Sequence, residues 1–347
     1  MIKRPAVIIV ILISFIMLVA SGCGSDEQNA GTPADFYRGN TINFIISSSS
    51  GGETDRVSRV IASFLERDTG ANVVITNDVG AGGLEGINQV YRSKPDGLTL
   101  GAVSSGKFVA NRVMGETVAV YELEEFSYIM NVGARRNYFM VSPDGPYQSF
   151  ADLEAGENIK IGGASPSGPY SLAGMTVIEL MNLDAKVITG LTKTSDLALA
   201  VKRGEIDGYT GNIPAAMAYL DSGMIEPMFV LATTRDSLNP DIPAITELVS
   251  VDDEDLALVE LWETAFVSSS IFTAPPGVPE DRLAFLRGLA AQWMQDEVFR
   301  AEIDRVSGYD VGTYVIGDTI SEVMLNLGNT LEDFRAIFTA MIQKYRA

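Results

Sequence analysis

Hydrophobic and polar positions along the chain switch between a strand-like run and a helical spacing. "TINFII" (Thr41 to Ile46) is an apolar run of the buried-strand kind, and Val57, Val60, Ile61, Phe64 and Leu65 then recur at helical intervals up to Gly70. "NVVITN" (Asn72 to Asn77) is the next strand, "GAGGLEGINQVYRS" (Gly80 to Ser93) opens a second helix, and the turn signal at Pro95 to Gly97 feeds the strand "LTLGAV" (Leu98 to Val103). This order predicts parallel strands with helices on both faces and right-handed crossovers.

A second unit of the same kind follows "NYFMVSPDGPYQSFADL" (Asn137 to Leu153). "NIKIGGA" reads as a strand, "SLAGMTVIELMNL" as a helix, "AKVIT" as a strand and "TSDLALAVKRGEIDG" (Thr194 to Gly208) as a helix. Further on come a strand, a Pro/Gly loop and a long helix in "ETAFVSSSIFTAPPGVPEDRLAFLRGLAAQWMQ", and the C-terminal helices are expected to pack back on the first unit. Open α/β sheets bind ligands outside the carboxyl ends of their strands, so two Rossmann-like α/β domains facing each other make a cleft. The expected division is residues 39–143 with 239–347 as domain I and 144–238 as domain II, with hinge crossings near Pro143 and between Leu238 and Trp262.

The N-terminus has a different pattern. Lys3 and Arg4 precede an apolar run from Ala6 to Ala20. That run is shorter than the roughly 20 residues a spanning helix needs, so residues 1–22 read as a signal peptide. "ASGC" (Ala20 to Cys23) resembles a bacterial lipobox, with Ala20 where leucine is more usual. The resemblance implies cleavage before Cys23 and lipid on its sulfur. The alternative is a short anchor that is never cleaved, and both place the body outside the cytoplasmic membrane. Residues 23–38, rich in small and polar side chains, read as a flexible tether.

Composition narrows the chemistry. The 347 residues suffice for two domains, and 46% apolar with 20% charged residues is a globular balance. A formal net charge of −20 repels polyanions and makes nucleic acid a poor candidate partner. Histidine is absent, which removes Ser-His-Asp triads and the usual zinc sites, and Cys23 is the only cysteine. Neither a metal nor a cofactor is expected. Carboxylates, hydroxyls and backbone groups remain.

The strand-to-helix connections are where such chemistry concentrates. Ser47 to Glu53 is almost wholly Ser and Gly; with Thr54 as the helix cap, the N–H groups of the first turn would face the cleft at the positive end of the helix dipole. That is an anion site in form, although a glycine-rich turn is as often purely structural. "NDVGAGGLEG" (Asn77 to Gly86) repeats the arrangement and "SSGK" (Ser104 to Lys107) adds a third loop, so side chains are scarce where donors are needed.

At these residues the sequence resembles the extracytoplasmic solute-binding proteins of tripartite tricarboxylate transporters, the Bug family. The family's Gly-Gly-x-x-Asp loop, Asn-x-x-Gly-Ala-Gly-Gly loop and Pro-Asp-Gly-x-Thr-Leu turn match the stretch from Gly51 to Leu100, with weaker echoes in "SLAGMTVIEL", "LNPDIPAITEL" and "TAPPGVPEDRL". The resemblance implies a periplasmic binding protein of type II that closes on a small carboxylate and delivers it to membrane transporter subunits as a lipid-anchored monomer. It places ligand contacts on Ser50, Gly51, Gly52, Thr54 and Asp55 and on Ala81, Gly82 and Gly83, while Ser104 and Ser105 of the third loop are further candidates. Asp55 is expected to fix its loop, since a carboxylate facing an anion is repulsive.

The second domain departs from the family. Where relatives carry a small hydroxyl residue and then histidine before Leu-Ala-Gly, this chain has Pro169, Tyr170 and Ser171, and the loop Thr189 to Asp196 is longer. Ser165, Ser167, Ser171, Thr192, Thr194 and Ser195 are candidate hydroxyl donors, with capping or turn roles as the alternative for each. Lys107, Arg135, Arg136 and Lys193 are candidate carboxylate partners or solvated surface charges. Tyr170, Tyr209 and Phe108 are candidate walls of the cleft, and Asn212 a residue able to reach across. A ligand-sensing subunit for a receptor kinase would use the same binding chemistry. A carboxylate-dependent hydrolase would need a nucleophile with a base in reach.

Overall fold

The computed structural model describes residues 32–264, 268–307, 311–312 and 314–346. Residues 1–22, read from the sequence as a signal peptide, and Cys23 lie outside the described residues, as does most of the segment read as a tether. Among the described residues no helix is long and apolar enough to cross a membrane.

Two mixed sheets organise the chain. The first contains β1 (Thr41–Ile46), β2 (Asn72–Asn77), β3 (Thr99–Ser104), β4 (Ser127–Arg135), β10 (Ser268–Ala274) and β11 (Tyr314–Ile316), in the order β11-β4-β10-β3-β1-β2. The second contains β5 (Tyr138–Val141), β6 (Ile159–Gly162), β7 (Ala185–Ile188), β8 (Gly208–Gly211) and β9 (Glu226–Val230), in the order β7-β6-β8-β5-β9. β1 pairs parallel with β2 and β3, as the alternating pattern predicts, and β6 pairs parallel with β7 and β8. β10, β11 and β5 run antiparallel to their neighbours, which makes this the type II periplasmic-binding-protein architecture of two mixed sheets.

The helix after β1, α2 (Glu53–Thr69), follows the short α1 (Pro33–Tyr37). The five apolar positions counted at helical spacing from Val57 to Leu65 are all buried, and Gly70 ends the helix with its N–H on the Glu66 carbonyl. Phe64 packs edge-on against Phe299 of α11 (Glu297–Ser307), ring centroids 5.0 Å apart, while Trp293, at the end of α10 (Glu280–Trp293), donates to Asp68 at 2.7 Å. α3 (Leu84–Tyr91) and α4 (Ser105–Val113) follow β2 and β3.

The chain leaves the first sheet at the end of β4 and enters the second at Tyr138, with Arg136 and Asn137 between the two sheets. It returns after β9, where the Leu231 N–H donates to the Asn137 carbonyl at 2.8 Å and ties the two crossings together. The second unit holds α5 (Phe150–Glu154), α6 (Pro169–Met181), α7 (Thr194–Lys202) and α8 (Ile213–Asp221).

Two C-terminal helices do more than pack on the first unit. α9 (Asp253–Thr264) lies on α6, with the Trp262 indole N–H on Thr176 Oγ1 at 3.0 Å. α12 (Gly317–Tyr345) has 29 residues and is therefore about 43 Å long, enough to pass both sheets. Its Arg335 donates to the Val113 carbonyl of α4 at 3.0 Å, whereas Lys344 pairs with Glu179 of α6 at 3.0 Å.

Candidate ligand cleft

The first loop is built around one carboxylate. β1 ends at Ile46, and Ser47 holds the loop's base by donating its N–H to the Ala102 carbonyl at 2.9 Å. Gly51 donates its N–H to Asp55 Oδ2 at 2.8 Å and Gly52 donates to the Ser49 carbonyl at 3.0 Å, so both N–H groups are engaged within the loop. Asp55 is 1% exposed and also accepts from Arg59 Nε and Nη2 and from Asn77 Nδ2, at 3.0, 2.9 and 2.9 Å. Burial pushes this carboxyl up, but the bonds from Arg59, Gly51 and Asn77 outweigh it and hold it below the ordinary range. Asp55 thus fixes the loop.

Asn77, at the end of β2, donates to the Ser48 carbonyl at 2.9 Å as well, which explains an asparagine at that position of the motif. Thr54 is not the cap: the N-cap is Gly52, and Thr54 sits inside the first turn accepting from Ser270 Oγ at 3.1 Å. Ser50 is exposed at the loop's rim. The Ser48 hydroxyl, which the sequence motif does not single out, is buried with no hydrogen-bond partner among the described residues.

The second loop is a left-handed turn. Ala81, Gly82 and Gly83 have φ of 50°, 73° and 100° in succession, and such turns present neighbouring N–H groups in one concavity. Gly83 is required twice over, because a Cβ there would also stand 2.2 Å from the Ser47 carbonyl oxygen. Gly82 is open, with nothing within 4 Å of such a Cβ. The Lys107 ammonium reaches the Gly82 carbonyl at 3.3 Å, which brings a cation onto this loop.

The third loop is no loop. Ser104 is the last residue of β3 and the N-cap of α4, Ser105 is 1% exposed, and Gly106 faces the Pro169 ring at the start of α6. The two units therefore touch where α4 and α6 begin. Since β2, β1 and β3 are adjacent in the sheet, the first turns of α2, α3 and α4 stand side by side at their carboxyl ends.

The second unit presents helix N-termini in the same way. Gly168 is the N-cap of α6, and Tyr170 in its first turn is held by two residues of β8 and its exit. Thr210 Oγ1 donates to the Tyr170 carbonyl at 2.5 Å, and Asn212 Nδ2 donates to the Tyr170 hydroxyl at 2.7 Å. Asn212 also caps α8 by accepting the Ala215 N–H at 2.9 Å. Ser171 is fully buried, its hydroxyl without a partner among the described residues. Ser167, Thr194 and Ser195 are half-buried, and Ser195 Oγ lies 3.4 Å from Asp196 Oδ1. Ser165 supports the turn by accepting the Gly168 N–H, Thr192 is exposed, and Tyr209 and Phe108 are core residues at 1% and 0% exposure.

The sequence profile of the tripartite tricarboxylate transporter family receptor, TctC, matches residues 57–261. The chain belongs to this family. The family consists of transporter receptors, binding proteins and not enzymes. Protein BugT of Bordetella pertussis is 24% identical to the receptor over 245 residues, covering 63% of this chain and 69% of BugT. A TctC solute-binding protein from Polaromonas, solved without ligand, superposes with a TM-score of 0.70 at 20% identity, over 89% of this chain and 99% of that one. Rpa4515 of R. palustris, solved with adipate, gives a TM-score of 0.63 at 19% identity, over 88% of this chain and 97% of that one. At these identities the structural likeness carries the fold alone.

Of the four cations, Lys107 is brought onto the second glycine loop of the receptor. Arg135 pairs with Glu53, the first residue of α2, and Arg136 pairs with Glu263 at 2.9 Å and donates to the Thr234 carbonyl at 2.5 Å. Lys193 is exposed at the N-cap of α7. No group of acidic, histidine or cysteine residues among the described ones is arranged to hold a metal.

Proposed function

We propose that this receptor captures a small organic acid outside the cytoplasmic membrane by seating its carboxylate at the glycine loops, and delivers it to the membrane subunits of a tripartite transporter. The observation that carries the reading is the side-by-side placement of the α2 and α3 N-termini at the carboxyl ends of β1 and β2, with Lys107 over Gly82. Helix N-termini and a nearby ammonium favour a negative charge there. Adipate, present in the structure of the R. palustris relative, is an acid of this class. Ser50, Thr54 and the Ala81–Gly83 turn would contact it from the first unit, and Ser167, Ser171, Thr194 and Ser195 from the second.

In this reading the two units close on the acid about the crossings, the body is a monomer that uses no cofactor, and Cys23 carries the lipid that holds it to the membrane. Native mass spectrometry of protein purified without refolding, followed by titration of a panel of organic acids, tests the ligand class. A panel in which neutral amides bind as tightly as the acids would remove the carboxylate from the reading. The anchor is tested separately: the N-terminal peptide of the mature protein made in a bacterial host should begin at Cys23 and carry a diacylglyceryl mass. A Cys23 without that mass sinks the anchor.

A further inference from the structure

Where the chain crosses between the two units lies a cavity of about 340 Å³, within the roughly 300–1,000 Å³ range of small-molecule sites. Both units build it. Ile213, Pro214 and Met217 of α8 face Val311, and Leu238 closes the rim at 54% exposure. The remaining wall is polar: Arg135, Arg136, Tyr138, Asp236 and Asn239. Arg135 connects the cavity to the candidate anion site, because its partner Glu53 directly follows Gly52. On the other side, Asn212 caps the helix whose first residues line the cavity and holds the Tyr170 hydroxyl.

The cations of that wall are already paired. Arg135 is paired with Glu53 and Arg136 with Glu263. Tyr138 donates to Asp236 Oδ2 at 2.5 Å and accepts from Asn239 Nδ2 at 3.1 Å. A second carboxylate entering here would face the Asp236 carboxylate and would have to displace Glu53 or Glu263 from a cation, whereas an apolar body meets five apolar side chains at no such cost.

Resting on the proposed carboxylate reading, we propose that this hinge-side cavity takes the tail of the ligand and that the receptor's acids are monocarboxylates bearing an apolar chain or ring. The carboxylate stays at the glycine loops and the tail runs past Arg135 to Met217 and Leu238. Each buried methylene is worth about fourfold in affinity.

The test is calorimetric titration of propanoate, hexanoate, 3-phenylpropanoate, adipate and hexanamide into wild type, Met217→Trp, Leu238→Glu and Gly82→Asp. Hexanoate should exceed propanoate by roughly 50-fold in wild type and exceed adipate as well. Met217→Trp fills the cavity and should cut the hexanoate advantage below about fivefold while sparing propanoate. Leu238→Glu, at an exposed position that does not threaten folding, should weaken hexanoate and 3-phenylpropanoate selectively. Adipate binding more tightly than hexanoate, or both cavity variants changing all acids equally or none, overturns the assignment. If Gly82→Asp leaves hexanoate untouched while the cavity variants remove the tail dependence, the anion site is not at the loops and the tail pocket stands. Hexanamide binding where no acid binds has the same meaning.

Discussion

Gly51 donates its N–H to the Asp55 carboxylate at 2.8 Å, four residues ahead in the chain. A loop of serines and glycines has little to hold its shape, and this bond, with those from Arg59 and Asn77, supplies it. Asp55→Asn keeps the volume and removes the charge. Hydrogen bonds to a charged group are worth about 1.5–3 kcal/mol, so the variant should lose roughly 2 kcal/mol of stability, a few degrees in Tm.

The same carboxyl gives a pH dependence with a defined sign. Its folded-state pKa is lowered, so its contribution is present above the unfolded value of about 3.9 and is lost as pH falls through the lower folded value. The Tm gap between wild type and Asp55→Asn should therefore be full at pH 7 and shrink as pH falls below about 4. An unchanged gap at pH 3 would show that the carboxylate does not stabilise the loop.

Gly83→Ala should damage the fold more than Gly82→Ala. Both positions are left-handed, which costs an L-residue about 1–2 kcal/mol, but only Gly83 abuts the Ser47 carbonyl, 2.2 Å from the added Cβ. Thermal melts of the two variants decide it. Equal losses would mean that the loops are not in contact.

Lys107→Met should weaken acid binding about fivefold at low salt, the worth of roughly 1 kcal/mol for an exposed charge near 4 Å in water. The deficit should fade as ionic strength rises past 0.15 M, where screening acts within about 8 Å. Titration of hexanoate and adipate at two salt concentrations measures it.

The opening elements of the first unit, β1 to β3 with α2 and α3, are legible because each carries its own signal, whereas β4, α4 and β11 are not. Period and glycine place β1, α2 and β2, and the parallel order follows from connection length. Asp55 was legible too, since charge repulsion already argued for a loop-fixing role. What the sequence withheld are relations between distant positions. Nothing local says that Arg135 will meet Glu53, that Lys107 will lie over Gly82, or that α8 and Val311 will enclose a cavity. α12 is legible only in part for a related reason: it does pack back on the first unit, but its periodicity does not announce that its 29 residues outrun one sheet and reach the next. Thr54 has the residue type of a cap, but Asp55 reaches back to Gly51 and leaves Gly52 at the cap position.

Whether the glycines serve a ligand as well as a turn is decided at Gly82, the residue of the second loop with open space around it. An added side chain meets nothing within 4 Å, and at φ of 73° aspartate and asparagine are among the L-residues that adopt the conformation most readily. Gly82→Asn therefore has the shape of Gly82→Asp without its charge. Like charges about 4 Å apart cost roughly 4 kcal/mol at an effective dielectric of 20, close to a thousandfold in affinity. Lys107 is near enough to pair with the new aspartate, so part of that penalty should be recovered by pairing, and the double variant with Lys107→Met should show it in full. The expected order of acid affinity is wild type, then Gly82→Asn, then Gly82→Asp, then the double variant, with circular dichroism unchanged throughout. Should Gly82→Asp bind acids as well as Gly82→Asn does, no anion sits at this loop and its glycines serve the turn alone.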